Sequence, residues 1–197
     1  EDAKGWIEAL SKDYDRVVVV GHSEGAKIGT MASAGNSRVA GLVLLAGAGR
    51  PTDEILKTQI RQTSPMVLES VSSIIDTLKM GRMVEQVPQM LYALFRPSVQ
   101  PYLISDFAVD PVAVLQGVDV SVLIIQGDKD LQIGVEDARL LQEARPDAEL
   151  VIIPNMNHVL KPCVSTDMAV QMETYVKPDL RIEPQVAREI ADFIERL

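Results

Sequence analysis

A run of β-branched residues at 16–20 (RVVVV) ends directly on GHSEG, and a small-residue, helix-compatible stretch (AKIGTMASA) follows at 26–34. The run is continuous, not alternating. A strand that is apolar at successive positions is buried on both faces, as in a parallel sheet covered by helices. Three further runs share this character, at 39–46 (VAGLVLLA), 121–126 (SVLIIQ) and 149–153 (ELVII). Helical patterns lie at 3–12, with Trp6, Ile7 and Leu10 on one side, and at 136–144. A last one runs over 184–197, opening on Pro184 with Val186, Ile190, Phe193, Ile194 and Leu197 at apolar positions. Strands alternating with helices specify an α/β fold, with a mainly parallel sheet flanked by helices. No internal repeat is visible.

Residues 47–111 break the alternation. They contain no strand-like run. Helical patterns at 53–61, 66–80 and 83–95 are followed by a Pro-punctuated segment, RPSVQPYL. Helices inserted between two strands of such a sheet are expected to form a cap, so 47–111 reads as a helical cap insertion within a single domain, 1–197. Four of the eight methionines fall here, at Met66, Met80, Met83 and Met90. At helical spacing they read as core filler; the functional alternative is an adaptable wall for an apolar ligand.

Composition narrows the function classes. The chain carries 19 Lys+Arg against 28 Asp+Glu, a net charge of −9. Phosphate backbones and anionic lipid surfaces repel such a chain, which argues against nucleic-acid or membrane-surface partners. No apolar run reaches the roughly 18 residues of a membrane span. A single cysteine, Cys163, excludes a disulfide framework and a cysteine-based zinc site. It reads as a small thiol with a packing role. Residue 1 is Glu, with no charged segment leading into an apolar one. A processed product or a fragment is expected, and the compartment is not readable.

Gly21-His22-Ser23-Glu24-Gly25 matches the G-x-S-x-G pattern of a sharp strand-to-helix turn. The serine would sit strained at its tip, and a side chain at either glycine is expected to collide with the neighbouring strand or helix. The pattern follows a strand and precedes a helix, which is the context it needs. A phosphate-binding loop is excluded, because Ala26 separates Gly25 from Lys27.

A serine hydroxyl attacks well only when a base takes its proton. The chain has two histidines. His22 adjoins the serine, and adjacent side chains at such a turn point apart. That leaves His158, just after the fourth strand, where a general base belongs. An acid must then fix its tautomer. Gly127-Asp128-Lys129-Asp130 follows the third strand and offers two. Asp130 is preferred over Asp128, because the loop needs a residue or two to turn over the strand end.

GHSEG after VVVV, GDKD after VLIIQ and NHVLK after VIIP together resemble the α/β-hydrolase superfamily. The segments FRPSVQPYLISDFAVDP (95–111) and LLAGAGRP (44–51) resemble, more narrowly, its bacterial carboxylesterases. The resemblance spans nearly the whole chain. It implies Ser23 as nucleophile, Asp130 as acid, His158 as base and the Glu24 backbone N–H as one oxyanion-hole donor. It implies a small-molecule carboxylic ester as substrate, an acyl-enzyme, and no cofactor or metal. A peptidase or thioesterase of the same fold uses the same three residues. A non-catalytic binding or assembly module is the rival from another class.

Members of that superfamily carry further strands and a second oxyanion donor upstream of the serine's strand. Here about 15 residues precede it. The expectation is the C-terminal half of an α/β-hydrolase fold, with its N-terminal segment as a missing partner. One oxyanion donor is worth about 100–1000-fold in rate, so weak esterase activity is expected of this chain alone. An exposed edge on the VVVV strand is expected too.

Overall fold

The computed structural model describes residues 1–197. Two compact units are present, one formed by Glu1–Gly49 with Pro111–Leu197 and the other by Arg50–Asp110.

The first unit is built on four parallel strands in the order β1-β2-β3-β4: β1 (Val17–His22), β2 (Val39–Leu45), β3 (Ser121–Gly127) and β4 (Glu149–Ile153). Its helices are α1 (Asp2–Leu10), α2 (Glu24–Ser33), α7 (Pro111–Gln116), α8 (Val135–Ala144), α9 (Met168–Tyr175) and α10 (Pro184–Glu195). The unbroken apolar runs are explained by burial on both faces. Leu42, Leu44, Val122 and Ile124 point to one side and pack with Ala26, Leu115, Ala138 and Leu141 from α2, α7 and α8. Val43, Leu45, Leu123 and Ile125 point to the other and pack with Val186 and Phe193 of α10. Each buried side chain of this size contributes about 1.5–3 kcal/mol. β1 pairs with β2 on one side only. Its Val18 and Val19 are half-buried and its Val20 is exposed.

The second unit holds α3 (Thr52–Thr63), α4 (Leu68–Lys79), α5 (Tyr92–Phe95) and α6 (Gln100–Phe107). Val71, Ile75 and Leu78 of α4 form its core with Leu91, Phe95 and Phe107. Buried Gln100 stitches it together: its amide accepts from Val84 N–H at 2.7 Å and donates to the Val84 and Phe95 carbonyls at 2.8 and 2.7 Å. The helix expected over 83–95 is irregular up to Pro88 and becomes helical only beyond it, as a 3-10 turn at Gln89–Leu91 that runs into α5 at Tyr92–Phe95. Pro88 explains this, since it has no N–H to donate and keeps Val87 out of the helical region. The four methionines are not core filler either. Met66, Met80, Met83 and Met90 are all at least half exposed.

The two glycines of GHSEG differ. A Cβ at Gly21 would overlap the Gly25 carbonyl and the Ala26 backbone, whereas one at Gly25 would meet nothing within 4 Å. The collision expected at the second glycine is absent, because Gly25 faces open space on the first turn of α2. Gly21→Ala is expected to destabilise the protein by about 3 kcal/mol through backbone overlap. Gly25→Ala should be neutral or stabilise by up to about 1 kcal/mol through helix propensity. Urea unfolding midpoints of the two variants check this contrast.

Candidate active site

All four strands run the same way, so the residues following β1, β3 and β4 emerge at one edge of the sheet. Ser23 follows β1 with φ 56° and ψ −119°, a left-handed backbone that costs a non-glycine residue about 1–3 kcal/mol. Its N–H donates to the Leu45 carbonyl at 2.8 Å, which ties the turn to the end of β2. Glu24 begins α2, so its N–H heads the helix at the positive end of its dipole.

His158 lies after β4 and is buried, with 5% of its surface exposed. Its Nε2 is 3.0 Å from Ser23 Oγ and its Nδ1 is 2.8 Å from Asp130 Oδ2. The Asp130 side chain is fully shielded from solvent. A carboxylate only accepts, so Nδ1–H is donated to it and Nε2 is left to accept from the serine hydroxyl. A serine so bonded can pass its proton to the imidazole as it attacks an electrophile.

Asp130 is anchored on both oxygens. Oδ1 accepts from the Gln132 and Ile133 N–H groups at 2.7 and 2.9 Å. Oδ2 accepts from Gln126 Nε2 at 3.1 Å as well as from His158. Asp128 faces elsewhere. Its Oδ1 accepts from the Asn155 N–H at 2.6 Å, and its Oδ2 pairs with Lys129. Asp128 thus fastens the loop that carries His158, and does not touch the imidazole.

Several residues in this arrangement were not singled out by motif. The His22 Nε2–H donates to the His158 carbonyl at 2.7 Å, tying the turn to the histidine's own backbone, and the two rings lie 5.2 Å apart. Gly127 lies against the Met156 carbonyl so closely that a Cβ would overlap it. Its position at the head of GDKD was the available signal. Gln126 was signalled only as the one polar residue closing the run VLIIQ. Cys163 is buried and free. No group of three His, Cys, Asp or Glu side chains converges as metal ligands would. No helix is long and apolar enough to cross a membrane.

The alpha/beta hydrolase family, compared as a whole, matches residues 1–170. The chain belongs to this family. Among the relatives of this α/β-hydrolase is esterase EstD of Thermotoga maritima, 26% identical over 197 residues, which cover 95% of this chain and 46% of EstD. The chain therefore spans about half the length of that curated relative. An esterase of Pyrococcus furiosus superposes with a TM-score of 0.54 at 15% identity, covering 99% of this chain and 60% of the other. The esterase domain of a Rhodothermus marinus protein gives 0.50 at 16%, covering 89% and 65%. At these identities the structural likeness is one of fold.

The geometry makes a spectroscopic prediction. A proton held between a shielded imidazole and a carboxylate, in a charge-assisted bond, resonates far downfield of ordinary amides. Asp130→Asn should abolish that proton resonance in the NMR spectrum, and Asp128→Asn should leave it in place.

Proposed function

We propose that this α/β-hydrolase is a serine hydrolase acting on carboxylic esters through an acyl-enzyme formed on Ser23. The observation that carries the reading is the hydrogen-bonded chain Ser23–His158–Asp130, 3.0 and 2.8 Å long, beginning on a left-handed residue at a strand-to-helix turn. The likeness to esterase EstD favours esters as the substrate class.

In this reading Ser23 Oγ attacks the ester carbonyl carbon, and its proton moves to His158 Nε2. The imidazolium so formed is stabilised by the Asp130 carboxylate, whose bonds to Gln126, Gln132 and Ile133 keep it aimed at Nδ1. The negative charge on the former carbonyl oxygen is met by the Glu24 N–H and the positive end of α2. Collapse of the tetrahedral intermediate breaks the bond to the alcohol oxygen, which leaves with the proton from His158. Water then attacks the acyl carbon while His158 takes a proton from it. Ser23 recovers its hydrogen, and the carboxylic acid departs.

The test is hydrolysis of p-nitrophenyl acetate and butyrate. Ser23→Ala should lower kcat by at least about 10³-fold and Asp130→Asn by about 10⁴-fold. Asp128→Asn should cost less than about tenfold, since it loosens only the loop backbone. Turnover that survives Ser23→Ala, or that falls further with Asp128→Asn than with Asp130→Asn, contradicts the assignment.

A further inference from the structure

Helix α9 is inside out for a helix held by apolar packing. Its buried residues are Gln171 and Thr174, while Met168, Val170 and Met172 are exposed. Hydrophobic burial therefore does not explain why it docks where it does. Its polar bonds do, and they run to the two loops that carry Asp130 and His158.

Gln171, 2% exposed, uses both amide hydrogens. One goes to the Lys129 carbonyl at 2.7 Å, beside Asp130, and the other to the Ser165 carbonyl at 2.8 Å. Thr174 Oγ1 accepts from Asn157 Nδ2 at 2.7 Å and donates to the Gln171 carbonyl at 2.7 Å. Asn157 is the residue before His158 and is completely buried. Lys161, three residues beyond His158, donates from Nζ to the Thr174 and Lys177 carbonyls at 2.8 and 2.7 Å. The Tyr175 hydroxyl accepts from Gln132 Nε2 at 2.7 Å. Burial pushes that phenol up, against the Gln132 bond and assisted by the Asp130 charge, so it stays un-ionised. The helix thus holds residues on both sides of Asp130 and both sides of His158.

The acid and base loops follow different strands and meet directly where the Asn155 N–H donates to Asp128 Oδ1 at 2.6 Å and the Lys129 N–H to the Met156 carbonyl at 3.1 Å; α9 adds side-chain bonds across the same pair of loops. We infer that α9 is a polar clamp in which Gln171 and Thr174 are positioning residues that set the distance between Asp130 and His158. Both lie beyond residue 170, where the family match ends. The inference rests on the serine-hydrolase reading above. Buried polar groups bind strongly to a single geometry because leaving one partner unmet is costly, so such a network specifies position more sharply than apolar contacts do.

The experiment uses the full chain with Gln171→Met, Thr174→Val and Thr174→Ser. Each is assayed on p-nitrophenyl acetate well below its own melting temperature, with active sites counted by fluorophosphonate titration. The clamp predicts that Gln171→Met and Thr174→Val lower kcat per titrated site by about 10–100-fold with KM within about twofold. Thr174→Ser keeps both hydroxyl bonds and should restore kcat. The downfield His158 proton should shift or broaden in Gln171→Met and Thr174→Val but not in Thr174→Ser. A lowered melting temperature with unchanged kcat per site and an unmoved proton overturns the clamp. If wild-type turnover proves independent of Ser23, the hydrolase reading fails, and the proton resonance alone still decides the clamp.

Discussion

Parallel pairing is the constraint on which the rest depends. His22 pairs with Leu45, Leu45 with Ile125, and Gly127 with Ile153, so four strands end at one edge of the sheet. A parallel ladder buried on both faces tolerates little slippage, because a one-residue shift would turn every side chain to the wrong layer. That fixed edge lets three loops, far apart in sequence, meet within hydrogen-bond reach. It also brings backbones closer than side chains allow. Gly21 and Gly127 sit at two of those approaches, and at both a Cβ would strike a carbonyl.

Strain and satisfaction are divided between the loops. Ser23 and Leu160 hold left-handed backbones that are costly for their residue types. Around them the polar side chains are held by many bonds, although Gln126 Oε1 is buried without a partner. Asp130 accepts four bonds, and Asp128 holds Asn155. His22 holds His158, and α9 braces the acid and base loops together. This density of bonds keeps a shielded histidine–carboxylate pair aligned with a serine that the backbone alone would not present.

What the sequence made legible follows from which physics dominates each part. The strands were readable because burial on both faces leaves an unbroken apolar run. Ser23, Asp130 and His158 were readable because their residue types sit just past strand ends, and the structure brings the three into one hydrogen-bonded chain. Helix α9 was not readable, because its inward residues are Gln171 and Thr174 and no apolar stripe marks it. The stretch 83–95 misled, because its apolar spacing is helical while Pro88 forbids the helix. The exposed methionines misled for the opposite reason, since spacing records periodicity and not which side is covered. His22 was set aside by its direction from Ser23; its reach to the His158 carbonyl depends on a contact 136 residues away.

In the proposed reading, the buried His158–Asp130 pair makes Ser23 a nucleophile unlike the other eleven serines of the chain. Fluorophosphonate labelling with peptide mapping by mass spectrometry tests it most directly. One adduct is expected, on Ser23, formed by the folded protein and lost both on unfolding and in His158→Ala. Labelling spread over several serines, or an adduct on Ser23 that forms equally well in His158→Ala, would contradict it.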